Sequence, residues 1–214
     1  MDDIISKLSE IFIRFPGVGP KQSRRFVYFL LAQHPGTLAN LSQLISELKK
    51  DVHQCEQCLR FFIPCLPAGR PTTKNQADIC GLCADETKDD SLLMLVEKDI
   101  DLENIRKMGV YNGKYFVLGG LIPILAKNPA ERIKEKELLK LVDQKTKANT
   151  LKEIIIALSV TRDGDNTIEY LEKLLKPYVS KSVKISILGR GLSSGTEIEY
   201  SDSDTIKNAL ENRH

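Results

Sequence analysis

No apolar run in this sequence approaches the length of a membrane span; "FVYFLLA", residues 26–32, is among the longest. The opening "MDDIISKLSE" carries acidic residues where a secretory leader carries basic ones. Both absences argue against an exported or membrane-embedded class, and the cytoplasm is the expected compartment. Excess charge is also missing. Thirty-one Lys and Arg stand against 29 Asp and Glu, a net +2 that does not by itself mark a nucleic-acid protein. Internal repeats and low-complexity segments are absent as well.

One absence is local. Between Glu10 and Glu47 there is no acidic residue, yet Arg14, Lys21, Arg24 and Arg25 all lie there. That asymmetry is an electrostatic footprint that the bulk charge conceals. What is present otherwise is ordinary. At 214 residues, 42% hydrophobic and 28% charged, the chain can bury a core as one large domain or two to three small ones.

Apolar spacing predicts a helix over residues 4–15 closed by Pro16, a second from Pro20 to Gln33, and a third over "TLANLSQLISELKK" with Thr37 as N-cap. The stripe of the third is Leu38, Leu41, Leu44, Ile45 and Leu48. Residues 55–83 have too little periodicity for a core of their own. From residue 91 short apolar strands ("LLMLV", "YFVL", "EIIIAL", "VKISIL") alternate with helices: one ending at Gly109, one near 130–147, and one stopped by Pro177. Such alternation predicts a parallel sheet covered on both faces. The tail reads as a Gly/Ser loop, a strand and a last helix.

Between the first two helices stands "FPGVGPKQSRRF". Gly17 and Gly19 permit turns and close approaches, and Pro20 suits the first position of a helix. The free N–H groups of that helix start favour an anion by ~0.3–1 kcal/mol per charge. Lys21, Arg24 and Arg25, at i, i+3 and i+4, share a face with Tyr28 among them. A helical corner with a solvated face is the bland alternative. The prolines, the missing acids and the basic face together favour phosphate binding by a helix-hairpin-helix.

Cys55-x-x-Cys58 and Cys80-x-x-Cys83 form two matched pairs, the pattern of two zinc knuckles closing a four-thiolate site. Unrelated buried thiols or a redox pair are the competing readings, and the matched pairs favour zinc. A closed site has no water position, so the metal is structural, and roughly 10–16 kcal/mol of apparent binding energy folds a segment that lacks a core. His53 is a substitute ligand on this reading, and Cys65 a spare thiol.

Glu97 ends the first strand, and Asp163 and Asp165 follow "EIIIAL" in "TRDGD". Residues past the carboxyl ends of parallel strands meet in one crevice, so these carboxylates fit a magnesium site for phosphoryl transfer. They fit capped turns equally, with Asp163 and Asp165 before a helix starting near Asn166 and Asp101 before the one ending at Gly109. Residue chemistry leaves both readings open.

The order of these parts, and above all "YNGKYFVLGGL" and "RGLSSGTEIEY", resembles the RecR family of bacterial recombination mediators over nearly the whole chain. The resemblance implies an α/β, multi-part protein. Its parts are a helix-hairpin-helix domain over 1–53, a four-cysteine zinc finger over 54–84, a Toprim domain over 90–176 and a C-terminal strand/helix extension over 177–214 used in assembly. It also implies a non-enzymatic DNA clamp, cytoplasmic and nucleoid-associated, that closes as a homo-oligomeric ring. Acting with RecO, and in many bacteria RecF, such proteins help load RecA on gapped or single-stranded DNA coated by single-strand binding protein.

On that resemblance Gly17, Gly19, Lys21, Arg24 and Arg25 are DNA-binding. Cys55, Cys58, Cys80 and Cys83 hold one zinc ion per chain. Glu97, Asp101, Asp163 and Asp165 form an acidic surface that contacts RecO. Two departures stand out: the loop between the cysteine pairs is longer than is usual for the family, and "TRDGDNT" replaces a "T-x-E-G-E-A-T"-like segment. The D-G-D matches the D-x-D of catalytic Toprim enzymes and sustains an alternative, a magnesium-dependent nuclease or phosphotransferase using Glu97, Asp163 and Asp165.

Overall fold

The computed structural model describes residues 3–64, 78–179, 182–189, 203 and 205–207. Cys65, most of the inter-cysteine loop, the "RGLSSGTEIEY" segment and most of the expected last helix lie outside them. The chain forms two compact units, Met1–Val52 and His53–His214.

The first unit is all-helical: α1 (Ile4–Ile13), α2 (Pro20–Leu31) and α3 (Pro35–Asp51). α1 and α2 pack as a hairpin in which Phe12 meets Phe26 edge-on at 5.7 Å and Val27 is buried. α3 begins earlier than expected. His34, not Thr37, is its N-cap, accepting from Gly36 N at 3.1 Å through Nδ1, and Pro35 takes the first helical position. Its stripe is not core: Leu41, Leu44, Ile45 and Leu48 are exposed, and no residue of α3 is fully buried.

The second unit opens with a two-stranded antiparallel ribbon, β1 (His53–Gln54) and β2 (Phe61–Phe62), followed by the short α4 (Gly81–Ala84). A parallel sheet follows, with β3 (Asp89–Val96), β4 (Gly113–Val117), β5 (Glu153–Ala157) and β6 (Lys184–Ile187) in the order β4-β3-β5-β6. Three helices, α5 (Asp99–Met108), α6 (Glu135–Lys147) and α7 (Arg162–Val179), connect the strands.

Period-2 alternation sends each strand into both layers. Leu93, Leu95, Phe116, Ile154 and Ile156 pack with Leu138 and Val142 of α6 and Leu171 and Leu175 of α7. Met94, Val96, Tyr115 and Val117 face the other way, onto Leu102 of α5. Fully burying each of the larger side chains contributes about 1.5–3 kcal/mol, and continuously apolar strands are the consequence of two covered faces.

The boundaries of α6 and α7 also differ from the sequence expectation. α7 starts at Arg162 and takes Asp163 and Asp165 into its first turn, and it continues through Pro177 to Val179. Proline so near the end costs the helix little beyond one backbone bond. The helix expected from residue 130 begins at Glu135, after a 3-10 turn at Pro129–Glu131.

Candidate metal centre, acidic crevice and nucleic-acid face

The two knuckles bring Cys55, Cys58, Cys80 and Cys83 together, with all four Sγ atoms within 4.8 Å of one another. Cys58 and Cys80 Sγ lie 3.5 Å apart, and Cys80 N donates to Cys55 Sγ at 3.3 Å. A tetrahedral thiolate site with bonds of about 2.3 Å has S···S edges of about 3.8 Å, so the group fits a metal ion. The first knuckle turns through Leu59 at φ +59, and its chain is tied by Cys55 N to Arg60 O at 2.9 Å. The second is the turn of α4, where Cys83 N donates to Cys80 O at 3.0 Å.

The neighbouring cysteine sulfurs pull the Cys55 thiol below its ordinary value and push that of Cys83 above it. A cation held by the four sulfurs would take the place of their protons. His53 is not in the group; its ring packs against Phe62, with centroids 6.4 Å apart.

The sheet grips both knuckles. Val117 N donates to Cys58 O at 2.9 Å, and Phe61 N to Asp99 Oδ1 at 2.7 Å. Arg60 pairs with Glu103 at 2.7 Å. Lys114 Nζ donates to Cys83 O at 2.9 Å and Asp85 O at 2.8 Å, and Lys134 Nζ to Leu59 O at 3.2 Å. Burial pulls the Lys134 ammonium below the ordinary lysine value, opposed by the Asp99 and Glu137 carboxylates.

The acidic crevice lies where the sheet order reverses. From β3 the chain crosses to β4 on one side and then to β5 on the other, so the carboxyl ends of β3 and β5 flank the switch point. Glu97 follows β3 and is only 6% exposed; its Oε2 accepts from Ser159 Oγ at 2.8 Å, and its Oε1 pairs with Lys98. Asp163 Oδ1 accepts from Ile124 N at 3.3 Å. Asp165 is exposed one residue beyond Gly164.

Asp101 sits in the first turn of α5, where Oδ2 accepts from Lys98 N at 3.0 Å. It therefore caps from within the helix, by the reach-back half of a capping box. Asp163 and Asp165 complement the dipole of α7 from inside its first turn rather than preceding it. Among the described residues the cysteines are the group of three or more ligand-type side chains gathered for one ion; Glu97, Asp163 and Asp165 do not gather into another.

Gly164 explains the middle of the D-G-D. It is buried, its N donates to Thr161 Oγ1 at 3.0 Å, and a Cβ there would fall on Ser159 O far inside the 3.0 Å that real Cβ atoms respect. α7 approaches the end of β5 this closely only because residue 164 has no side chain.

In the helical unit, Gly17 has φ +74 and Gly19 is the extended N-cap of α2. Among the described residues nothing lies within 4 Å of the Cβ position of either, so the turn leaves room for an approaching ligand. Lys21, Arg24, Arg25 and Tyr28 are exposed, and among the described residues none of the three cations is ion-paired. Sequence reasoning passed over Ser159, Lys114 and Lys134. Only the switch-point rule pointed near Ser159, and no local signal marked the lysines.

The fold and crevice define a Toprim domain, and the Toprim family model matches residues 91–189. A model described as "RecR, C-terminal" matches residues 191–214. The protein named recombination protein RecR from Lactobacillus helveticus is 32% identical over 98% of this chain and 96% of its own. Those of Chloroherpeton thalassium (32%, over 98% and 95%) and Lacticaseibacillus casei (33%, over 98% and 96%) are similar to the same extent. The chain belongs to the RecR family of recombination proteins. No described helix is long and apolar enough to cross a membrane.

Proposed function

We propose that this chain is a non-enzymatic DNA clamp and adaptor in recombinational repair, working with RecO, and RecF where present, to load RecA on gapped DNA coated by single-strand binding protein. The observation that carries this reading is the α2 face. Lys21, Arg24 and Arg25 stand exposed, and unpaired among the described residues, beside an open Gly17–Gly19 turn, which suits sequence-independent contact with phosphates. The exposed stripe of Leu41, Leu44, Ile45 and Leu48 supports assembly into a ring through the helical unit. Encirclement then combines several weak contacts, so the small net charge is no obstacle.

The cysteine group is read as a structural zinc site that folds the finger over 54–84. The four ligands leave no open position for catalysis. Glu97, Asp101, Asp163 and Asp165 serve as a docking surface for a basic partner. Glu97, Asp101 and Asp163 are already engaged by Ser159, Lys98 and Ile124, which argues against metal chemistry, and the exposed Asp165 is the carboxylate a partner reaches most readily. The nuclease reading draws on the facing of Glu97 and the D-G-D across the switch point.

One experiment separates the two. End-labelled gapped duplex is incubated with protein and magnesium, and each sample is run on native and denaturing gels. The clamp gives a native shift with full-length strands. Shortened strands that vanish with EDTA and with Glu97→Ala refute the clamp and establish the nuclease.

A further inference from the structure

Two half-buried lysines have no carboxylate within ion-pair distance among the described residues, and each spends its ammonium on a different cysteine knuckle. Lys114, on β4, donates to the carbonyls of Cys83 at 2.9 Å and Asp85 at 2.8 Å, with Leu82 O at 3.5 Å. Lys134, just before α6, donates to Leu59 O at 3.2 Å, one residue beyond Cys58, and lies 5.9 Å from the Phe61 ring centroid. Its route is prepared: Gly119, at φ +89, has no side chain where the Lys134 stem crosses, and a Cβ there would meet Lys134 Cε at 3.2 Å. Both lysines belong to the sheet layer, whereas all four ligands belong to the finger.

Four thiolates around a dication carry a net double negative charge, and Cys55, Cys58 and Cys80 hold it away from water. Such a charge is costly to bury unless opposite charge stands near it. We propose that Lys114 and Lys134 are the counter-charges of the metal centre, so that zinc binding by the finger and docking of the finger on the sheet are one linked equilibrium. The lysines position the knuckles through their carbonyls and offset the thiolate charge from outside the ligand shell. This rests on the zinc reading above, and by reciprocity zinc tightens the docking as much as the docking tightens zinc.

The test compares wild type, Lys114→Gln and Lys114→Arg in two measurements. One is zinc transfer to a chromophoric chelator from the native protein. The other is the rise in Tm between chelator-stripped and zinc-loaded protein. Lys114→Gln keeps a donor but loses the charge, and is expected to weaken zinc retention about 10–100-fold and to shrink the zinc-dependent rise; Lys114→Arg is expected to keep most of both. If Lys114→Gln fails to fold, Lys134→Gln is read in the same way on the other knuckle. Zinc retention in the Gln variant equal to wild type overturns the proposal, as does a Tm loss that is identical with and without zinc. A wild-type protein that purifies without stoichiometric zinc, and takes none up, overturns the metal reading itself.

Discussion

Gly164→Ala is the sharpest single test of how the crevice is built. The added methyl falls on Ser159 O, and either that carbonyl or the start of α7 must retreat by about 1 Å to restore a tolerable contact. Neither is free to move. Ser159 O accepts from Thr161 N at 2.9 Å, Ser159 Oγ holds Glu97 at 2.8 Å, and α7 is tied to the loop after β4 through Thr167 Oγ1, which accepts from Ile122 N at 2.8 Å. Overpacking of this kind costs about 1–3 kcal/mol, and losing the hydrogen bond to a charged carboxylate adds about 1.5–3 kcal/mol. The two together, about 2.5–6 kcal/mol, lower Tm by roughly 5–24 °C in a domain of this size. Thermal unfolding followed by circular dichroism, with urea midpoints as a check, measures it. A variant whose Tm lies within about 1 °C of wild type refutes the close approach and the geometry drawn from it.

Three further outcomes are expected. Lys21→Ala with Arg25→Ala weakens DNA binding and flattens its log–log salt slope by about 2; an unchanged slope in a salt titration removes the α2 face as the DNA site. Glu97→Ala with Asp163→Ala retains the DNA shift but lowers RecO-dependent loading of RecA, and normal loading in a reconstituted assay contradicts the docking surface. Glu153 is held below the usual carboxylate value, first by the hydrogen bond from Ser186 Oγ and then by Lys184. Because its folded pKa is depressed, its stabilisation is present above the unfolded value of about 4.3 and disappears as pH falls through the lowered one. Glu153→Gln therefore lowers Tm at pH 7 and converges with wild type once the pH has fallen below the depressed pKa; a pH-independent gap between the two Tm curves refutes the assignment.

Local pattern carried much of this structure. The matched cysteine pairs, the strand–helix alternation from residue 91 and the stop at Gly109 are all local, and Gly109 indeed sits at φ +68. Contacts between distant segments were not legible. Glycine between two aspartates reads as a turn, yet Gly164 lies in the first turn of α7, and it is glycine because Ser159 O leaves no room for a Cβ there. Ser159 and Glu97 meet 62 positions apart, and Lys134 reaches Leu59 across 75, separations that no periodicity encodes. The α3 stripe misled in the opposite sense. Apolar spacing identifies a face that wants cover but not what covers it, and here those leucines face outward.

The bond from Val117 N to Cys58 O has one more consequence. Among the described residues β4 is a border strand of the sheet, and a border strand with unsatisfied N–H groups is a template on which other chains can polymerise. The first knuckle blunts that border with its own carbonyl. Loosening of that knuckle therefore does more than free a small loop: it bares a strand end, and the failure to expect is self-association through β4, growing with protein concentration, before any loss of helix.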